Sequence, residues 1–256
     1  MVSVARLSTT PVKALGLSHP DEISLRSFGV PENRRFLVLT PERDLFEANR
    51  HGSAMQVTSE TDEEGSHLTL RFPDGTEVSE HVEVQANPFP VDVWGRTIAA
   101  RLVAGTFAKA LSSYVGTPLL LARTQHPGDG NDEFPVSLVS LASVERIGDV
   151  GGRDGSIGAG RFRMLLELDG LQAHEEDSWL GRKVRVGTAT IYVAKHCARC
   201  VITTMNDKTG ESDFPTLKTI AAYRGVDDGS LNFGMYAAVL EPGTIRVGDS
   251  VEAQPA

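Results

Sequence analysis

Short runs of apolar or alternating residues recur along this chain, and turn-forming residues separate them. Such runs are typical of β-strands, and segments with a helical period are rare. Pro73-Asp74-Gly75 lies between two of the runs and has the composition of a hairpin turn. The strand-like runs are residues 2–7, 34–40, 67–72, 77–84, 98–103, 118–123, 136–141, 190–194, 201–204 and 244–247. We therefore predict a mainly β protein.

A few segments have a helical pattern. Thr106 can cap a helix that places Phe107 and Leu111 on one face and ends at Gly116, and residues 143–147 and 216–224 are two further candidates. A polar, glycine-rich stretch near residues 124–133 separates two strand-like runs. We predict two β-barrel-like domains with a few short helices, over residues 1–115 and 116–256.

The charge balance argues against a polyanionic partner. The chain has 25 lysine and arginine residues against 34 acidic residues, a formal net charge of -9. Nucleic acid would therefore have to meet a local basic patch. The first residues contain neither a signal peptide nor an apolar run of about 20 residues, the length of a membrane span. We expect a cytoplasmic protein that binds neither nucleic acid nor a membrane.

Both cysteines of the 256-residue chain, Cys197 and Cys200, lie in the segment AKHCARCVITTMNDKTG, residues 194–210. Two cysteines do not make the disulfide framework of a secreted protein. A structural zinc ion needs four ligands, and only His196 lies nearby. A thioredoxin-like dithiol needs a helix after its first cysteine, whereas the four residues after Cys200 are β-branched and favour a strand.

Two interpretations of the pair remain. One thiol at the end of a strand, beside Arg199 and His196, would be stabilised as a thiolate, which is both a nucleophile and a ligand for soft metals. Alternatively, Cys197 and Cys200 are two small buried hydrophobic residues. Residue chemistry leaves both interpretations open.

The cysteine segment resembles that of MOSC domain proteins, a family named after the C-terminal domain of molybdenum cofactor sulfurase. The shared pattern is Arg-Cys, a threonine-rich strand, Asp, and then Thr-Gly. Further similar motifs are PVKALG, NRRFLVL, SLVSLASVERI, RFR, EEDSWLG and FGMYAAVLEPGTIRVGD. The early motifs resemble the β-barrel domain that precedes the MOSC domain in the subfamily of the mitochondrial amidoxime reducing component. The resemblance implies a molybdenum cofactor between the two domains, a small N-oxygenated substrate, and a redox protein as electron donor.

The resemblance also implies roles for individual residues. Cys200, the second residue of the Arg-Cys pair, would be the catalytic residue and the protein ligand of the metal, and Cys197 would have a packing role. Basic residues would hold the pterin phosphate, and hydroxyls at a helix start would assist them. The implied cofactor-binding residues are Lys13, Arg34, Arg163, Ser140, Ser143, Arg199 and Cys200.

Three positions depart from the family pattern. Leu165 replaces an asparagine, Ala14 a serine and Asn33 an aspartate, and an apolar side chain cannot make the hydrogen bond of a polar one. One lost hydrogen bond to a charged group costs about 1.5 to 3 kcal/mol.

The departures keep two alternatives open. One is a cofactor-free enzyme in which Cys200, activated by His196 or Arg199, carries a persulfide or makes or breaks a C–S bond. The other is a non-catalytic cofactor carrier.

Overall fold

The computed structural model of the protein describes residues 1–255, and strands dominate it. The first half contains β1 (Ser3–Leu7), β2 (Val12–Lys13), β3 (Glu22–Leu25), β4 (Phe36–Leu39), β5 (Thr58–Thr61), β6 (His67–Arg71), β7 (Glu77–His81), β8 (Phe89–Val93), β9 (Arg96–Leu102) and α1 (Phe107–Val115). The second half contains β10 (Leu120–Thr124), β11 (Val136–Ser140), α2 (Leu141–Val150), β12 (Leu166–Asp169), β13 (Lys183–Val186), β14 (Ala189–Ala198), α3 (Thr216–Arg224), β15 (Asn232–Glu241), β16 (Gly243–Arg246) and β17 (Val251–Ala253). Short 3-10 helices span Ala48–Arg50, Gly52–Gln56, Ala159–Phe162, Glu175–Trp179 and Val201–Thr204. The predicted mainly β fold with few helices is confirmed.

The largest sheet forms a nearly closed barrel. Its strand order is β1-β12-β11-β15-β14-β13-β17. The backbone N–H of Val4 donates to the carbonyl of Asp249 at 2.9 Å, and that of Val251 donates to the carbonyl of Val2 at 3.0 Å. These bonds join the first strand to the last segment of the chain, so the sheet has almost no open edge.

A second β unit is built from two smaller sheets. Their orders are β2-β4-β10-β9-β8 and β5-β6-β7. Helix α1 buries Phe107 and Leu111 in the core between them and ends at Gly116, whose φ of 79° is left-handed. Thr106 does not cap this helix with its side chain, because its hydroxyl donates to Oε1 of Glu80 at 2.7 Å.

Strands from each side of the predicted boundary, between residues 115 and 116, pair with strands from the other side. β1 belongs to the barrel of the second half, and β3 pairs with β16, where Ile23 faces Ile245. Conversely, β10 pairs with β4 in the first half. The division into 1–115 and 116–256 stays a prediction, and the two β units share strands across it.

The strand predicted over residues 201–204 is wrong, because this segment is a 3-10 helix. The backbone N–H of Thr203 donates to the carbonyl of Cys200 at 3.2 Å, and the Thr203 hydroxyl donates to the same oxygen at 3.0 Å. The Thr204 hydroxyl donates to the carbonyl of Val201 at 2.8 Å. These local bonds outweigh the β propensity of the four side chains.

The two other predicted helices are both present. The helix predicted over residues 143–147 is longer, because α2 spans Leu141–Val150, and α3 spans Thr216–Arg224 as predicted. No helix within residues 1–255 is long and apolar enough to span a membrane.

Two glycines let the halves meet near the cysteine segment. A Cβ atom on Gly210 would lie 1.9 Å from the carbonyl oxygen of Gly52, and the φ of Gly210 is +70°. The side-chain amide of Gln56 also donates to the carbonyl of Thr209 at 2.7 Å. The glycine of the Thr-Gly motif is therefore required by close backbone contact.

We predict that Gly210→Ala lowers the free energy of unfolding by about 2 to 4 kcal/mol, because the new methyl group must push the Gly52 backbone away. Gly75→Ala is the matched control, since Gly75 also has a positive φ of +87° but open space around it. Its loss should be about 1 kcal/mol, from backbone strain alone. Denaturant unfolding measures both, and equal losses would contradict the role of the contact.

Candidate functional site

A cavity of about 500 Å³ opens between the two halves, within the range of about 300 to 1,000 Å³ found for ligand sites. Segments from both halves line it, including β2, the β8–β9 turn, the loop after β10 and the end of β14. The structure brings five of the seven sequence-predicted site residues to this cavity: Lys13, Arg34, Arg163, Arg199 and Cys200.

The other two residues, Ser140 and Ser143, lie elsewhere. Both are fully buried, and the Ser143 hydroxyl donates to Oε1 of Glu176 at 2.7 Å. The backbone N–H of Ser140 donates to the same oxygen at 3.2 Å. Burial raises the pKa of the Glu176 carboxyl. This carboxyl group occupies the start of α2, where the sequence analysis expected a phosphate, so that expectation is corrected.

Cys200 lies between β14 and the 3-10 helix Val201–Thr204, and its free thiol is exposed. An ion pair between the buried Arg161 and the half-buried Asp213 supports this turn. Arg161 is 1% exposed, pairs with Asp213 at 2.9 Å, and donates through Nη1 to the carbonyl of Thr203 at 3.3 Å. Neither residue was predicted as a site residue from the sequence, where Arg161 appeared only as part of the RFR motif.

Arg199 is directed at Cys197 and not at Cys200. Its Nη1 donates to Sγ of Cys197 at 2.7 Å, and its Nη2 donates to the carbonyl of Phe162. Burial lowers the pKa of Arg199, but the Cys197 thiol opposes this and the net shift is upward. Burial, followed by the influence of Cys197, raises the pKa of Tyr236. Cys197 is thus buried in an apolar cluster with Phe162 and Phe233, and its thiol accepts a hydrogen bond from Arg199.

His196 does not line the cavity. Its Nδ1 lies 3.6 Å from Oδ1 of Asp177, a carboxylate that also accepts a hydrogen bond from Arg224 at 2.6 Å. His196 or Arg199 was expected to activate Cys200. Neither makes a hydrogen bond to its thiol, although Cys200 contributes to the raised pKa of Arg199 after burial and Cys197.

Lys13 and Arg34 share one carboxylate. Oδ1 of Asp132 lies 2.5 Å from Nζ of Lys13, and Oδ2 lies 2.7 Å from Nη1 of Arg34. Arg163 donates through Nη2 to the carbonyl of Leu15 at 2.6 Å, whereas its Nη1 is buried without a partner. Asp132 is the carboxylate that pairs with Lys13 and Arg34, and Asp207 acts on Arg163 without forming an ion pair, so positive charge is in excess on this wall of the cavity.

The pKa shifts reflect this crowding of charge. Burial lowers the pKa of Lys13 from 10.5 to about 8, although Asp132 opposes the shift. Burial and the neighbouring Arg34 lower the pKa of Arg163 to about 10. Burial would raise the pKa of Asp132, but Arg34 and Lys13 outweigh it and hold this pKa well below its usual range. A second anion would relieve the remaining repulsion between the cations.

Backbone strain is concentrated at the same wall. Four cavity residues other than glycine have a positive φ, namely Ala14 at 81°, Arg34 at 54°, Trp94 at 54° and Arg163 at 52°. This region is uncommon for residues with a side chain, and such strain clusters at functional sites.

The three positions that depart from the family pattern have different surroundings. Ala14 lines the cavity, whereas Leu165 is buried in the barrel core and its neighbour Met164 lines the cavity instead. Asn33 is buried, and its Oδ1 accepts a hydrogen bond from the N–H of Thr10 at 2.9 Å. No polar side chain at these positions reaches the cavity.

Two further residues of the site, Asp132 and Trp94, were not predicted from the sequence. Asp132 lies in the polar stretch interpreted as a junction, where an acidic residue is ordinary turn composition. Trp94 is 63% exposed, and its indole Nε1–H donates to Oδ1 of Asp132 at 3.1 Å. Only the tertiary structure places these two residues beside Lys13.

Two family models match this chain. The MOSC N-terminal beta barrel domain matches residues 1–118, and the MOSC domain matches residues 125–252. Mitochondrial amidoxime-reducing component 1 of Mus musculus is 36% identical over 138 residues, which cover 50% of this chain and 39% of that protein. The Danio rerio protein of the same name is 27% identical over 252 residues, covering 88% of this chain and 75% of the relative. The Xenopus laevis protein is 25% identical and covers 97% and 81%, respectively.

Among solved structures, the YUAD protein from Bacillus subtilis superposes with a TM-score of 0.45 at 11% identity, covering 99% of this chain and 96% of that chain.

We predict that Lys13 makes stability rise with pH between about 8 and 10.5. In this window the unfolded chain keeps the proton on Lys13, whose ordinary pKa is 10.5, whereas the folded protein, with a pKa of about 8, has released it. Because the unfolded state binds more protons, the free energy of unfolding rises with pH; below pH 8 both states are protonated and the full cost of the buried charge is present.

Relative to Lys13→Met, the wild type should gain on the order of 1 to 2 kcal/mol across this window. Urea unfolding at pH 7.5, 9 and 10 measures the difference. Parallel pH profiles for the two proteins would contradict the shifted pKa of Lys13.

Proposed function

The chain belongs to the family of MOSC domain proteins with an N-terminal MOSC β-barrel domain, and from this premise we propose that it is an oxidoreductase of N-oxygenated small molecules. In this proposal it binds a molybdenum cofactor in the cavity between its halves and receives electrons from a redox protein. The relatives named above as amidoxime-reducing components support the reaction class. A location in the cytoplasm remains a prediction from the sequence.

The unpartnered Nη1 of Arg163 carries the case for the cofactor phosphate. A buried guanidinium N–H without an acceptor is unfavourable, and an anion in the cavity would satisfy it. Lys13 and Arg34 line the same wall, so three cations are available to one phosphate. The residues present therefore fit the anionic end of the cofactor.

Cys200 fits the metal end. Its thiol is exposed and lines the same cavity, and a thiolate suits a metal centre that has other sulfur ligands. Within residues 1–255, no group of three or more histidine, cysteine or acidic residues could hold a metal ion by itself. This finding agrees with a metal that has one protein ligand and whose other ligands belong to the cofactor.

When bound, the cofactor supplies the redox-active metal that delivers two electrons to the N–O bond. The protein supplies position and electrostatics. Arg161 fixes the turn that presents Cys200, and the cations hold the opposite end through charge-assisted hydrogen bonds. Phe46 and Ile202 add apolar surface to the cavity, which limits water near the substrate.

The geometry gives less support to the cofactor-free alternative. A nucleophilic Cys200 needs an adjacent base or cation, but Arg199 directs its hydrogen bonds to Cys197 and Phe162, and His196 lies against Asp177. A non-catalytic carrier would use the same residues as the oxidoreductase. Turnover distinguishes those two functions.

We predict near-stoichiometric molybdenum and pterin in the wild type after expression in a host that makes the cofactor. Cys200→Ser should keep the pterin, because the phosphate contacts are intact, but lose amidoxime reduction and change the spectrum of the metal. Arg163→Gln should lower pterin content at least about tenfold, since a charge-assisted contact is lost. Elemental analysis, fluorescence of the oxidised pterin and reduction of benzamidoxime measure the three effects.

Cys197→Ser is the matched control and should retain substantial activity, because a serine hydroxyl can still accept the hydrogen bond from Arg199. A metal-free wild type that acquires sulfur on Cys200 from a persulfide donor, seen by intact mass, would overturn the molybdenum proposal. A loaded wild type without turnover would favour the carrier. Complete loss of activity in a folded Cys197→Ser protein would favour a dithiol.

A further inference from the structure

The carboxylate of Asp132 lies where an anion would bind. Its two oxygens bridge Nζ of Lys13 at 2.5 Å and Nη1 of Arg34 at 2.7 Å, so it occupies the space between the two cations. Burial would raise the pKa of this carboxyl group, but the two cations hold it well below its usual range, and Asp132 is ionised at neutral pH. Any ligand that uses both cations must compete with it.

The backbone of the loop is fixed independently of this carboxylate. Nζ of Lys13 also binds the carbonyl of Gly130 at 2.9 Å, and Arg96 donates to the carbonyl of Asp132 at 3.0 Å. A Cβ atom on Gly130 would lie 2.0 Å from the carbonyl of Arg34, so the two backbones are in close contact. The Asp132 side chain can therefore rotate away while the loop stays in place.

Trp94 is coupled to the same carboxylate. It lies with Gly95 in the two-residue turn between β8 and β9, where both residues have positive φ, at 54° and 82°. Such turns favour asparagine, aspartate or glycine, so a tryptophan here is conformationally costly. Its indole N–H donates to Oδ1 of Asp132 at 3.1 Å, and it loses this partner if Asp132 moves.

We propose that Asp132 is a specificity-determining residue that makes the cation wall accept phosphate monoester dianions and reject monoanions. The inference rests on the proposed function, because it concerns the site suggested for the cofactor phosphate. A tethered carboxylate has a high local concentration, so a free monoanion of equal charge does not displace it. A phosphate monoester has nearly two charges and three acceptor oxygens, and can contact Lys13, Arg34 and Arg163 together.

The side chains of the two tryptophans, Trp94 and Trp179, give the direct readout. In ¹⁵N-¹H correlation spectra of the cofactor-free protein at pH 7 and constant ionic strength, methyl phosphate should shift the indole resonance of Trp94. The resonance of Trp179, which is 4% exposed in the barrel core, should not move. Trp94→Phe assigns the signal. Acetate should produce no shift, because it cannot displace Asp132.

Two variants separate occupancy of the site from general electrostatics. Asp132→Asn should bind methyl phosphate at least about tenfold more tightly and should bind acetate measurably, because its cations are free. Glu133→Gln removes the same charge from the next residue, which also lines the cavity but pairs with Lys195 at 2.6 Å. Its affinities should stay within about threefold of the wild type, as expected for an exposed pair.

Several outcomes would overturn the proposal: acetate binding to the wild type as well as methyl phosphate, a phosphate affinity unchanged in Asp132→Asn, or an equal gain in Glu133→Gln. The wild-type titration remains decisive if Asp132→Asn does not fold. Failure of the proposed function would be a separate result. If methyl phosphate bound neither the wild type nor any variant, the cation wall would not be a phosphate site at all. In wild type loaded with cofactor, the Trp94 resonance should already lie at its displaced position, and a resonance at the cofactor-free position would overturn the inference alone.

Discussion

The pairing of the first strand with the barrel of the second half brings Lys13 and Arg163 to the same cavity. Leu7 is opposite Leu166, and the N–H of Ser8 donates to the carbonyl of Leu165 at 3.0 Å. From this fixed point the chain runs on towards Lys13 on one side and back to Arg163 on the other. Nη2 of Arg163 then reaches the carbonyl of Leu15 at 2.6 Å. A change of register would separate the two cations and expose the apolar side chains of β1.

The surrounding fold stabilises the cavity wall against two unfavourable features, the repulsion between its cations and the strain of its backbone. Lys13, Arg34 and Arg163 repel one another, and the pKa values of Lys13 and Arg163 are lowered by burial first and by this repulsion second. Asp132 offsets part of it, and Arg96 anchors the loop that carries Asp132. Perturbed pKa values and backbone strain cluster at functional sites, so this wall supports the proposed binding of an anion.

Local patterns in the sequence predicted the strands, the α3 helix and the turn at Gly75, because apolar alternation and turn residues act over a few positions. The strand predicted over residues 201–204 was wrong because the threonine hydroxyls donate hydrogen bonds to backbone carbonyls within one turn, an interaction that β propensity does not include. Ser140 and Ser143 were expected to meet a phosphate, but the carboxyl group of Glu176 already binds there. The pairing of Lys13 with Asp132 spans 119 residues, and no local pattern encodes a contact of that range.

The departures at Ala14, Asn33 and Leu165 affect the cavity less than the linear motif suggests. Leu165 contributes its side chain to the barrel core, and the buried Asn33 stabilises the backbone of Thr10 just before β2. Both positions therefore support segments next to the cations, because Leu165 follows Arg163 by two residues and Thr10 precedes Lys13 by three. Charge-assisted hydrogen bonds are roughly twice as strong as neutral ones. The wall keeps all three cations, and in the proposed function their charge-assisted hydrogen bonds supply the larger part of its affinity for an anion.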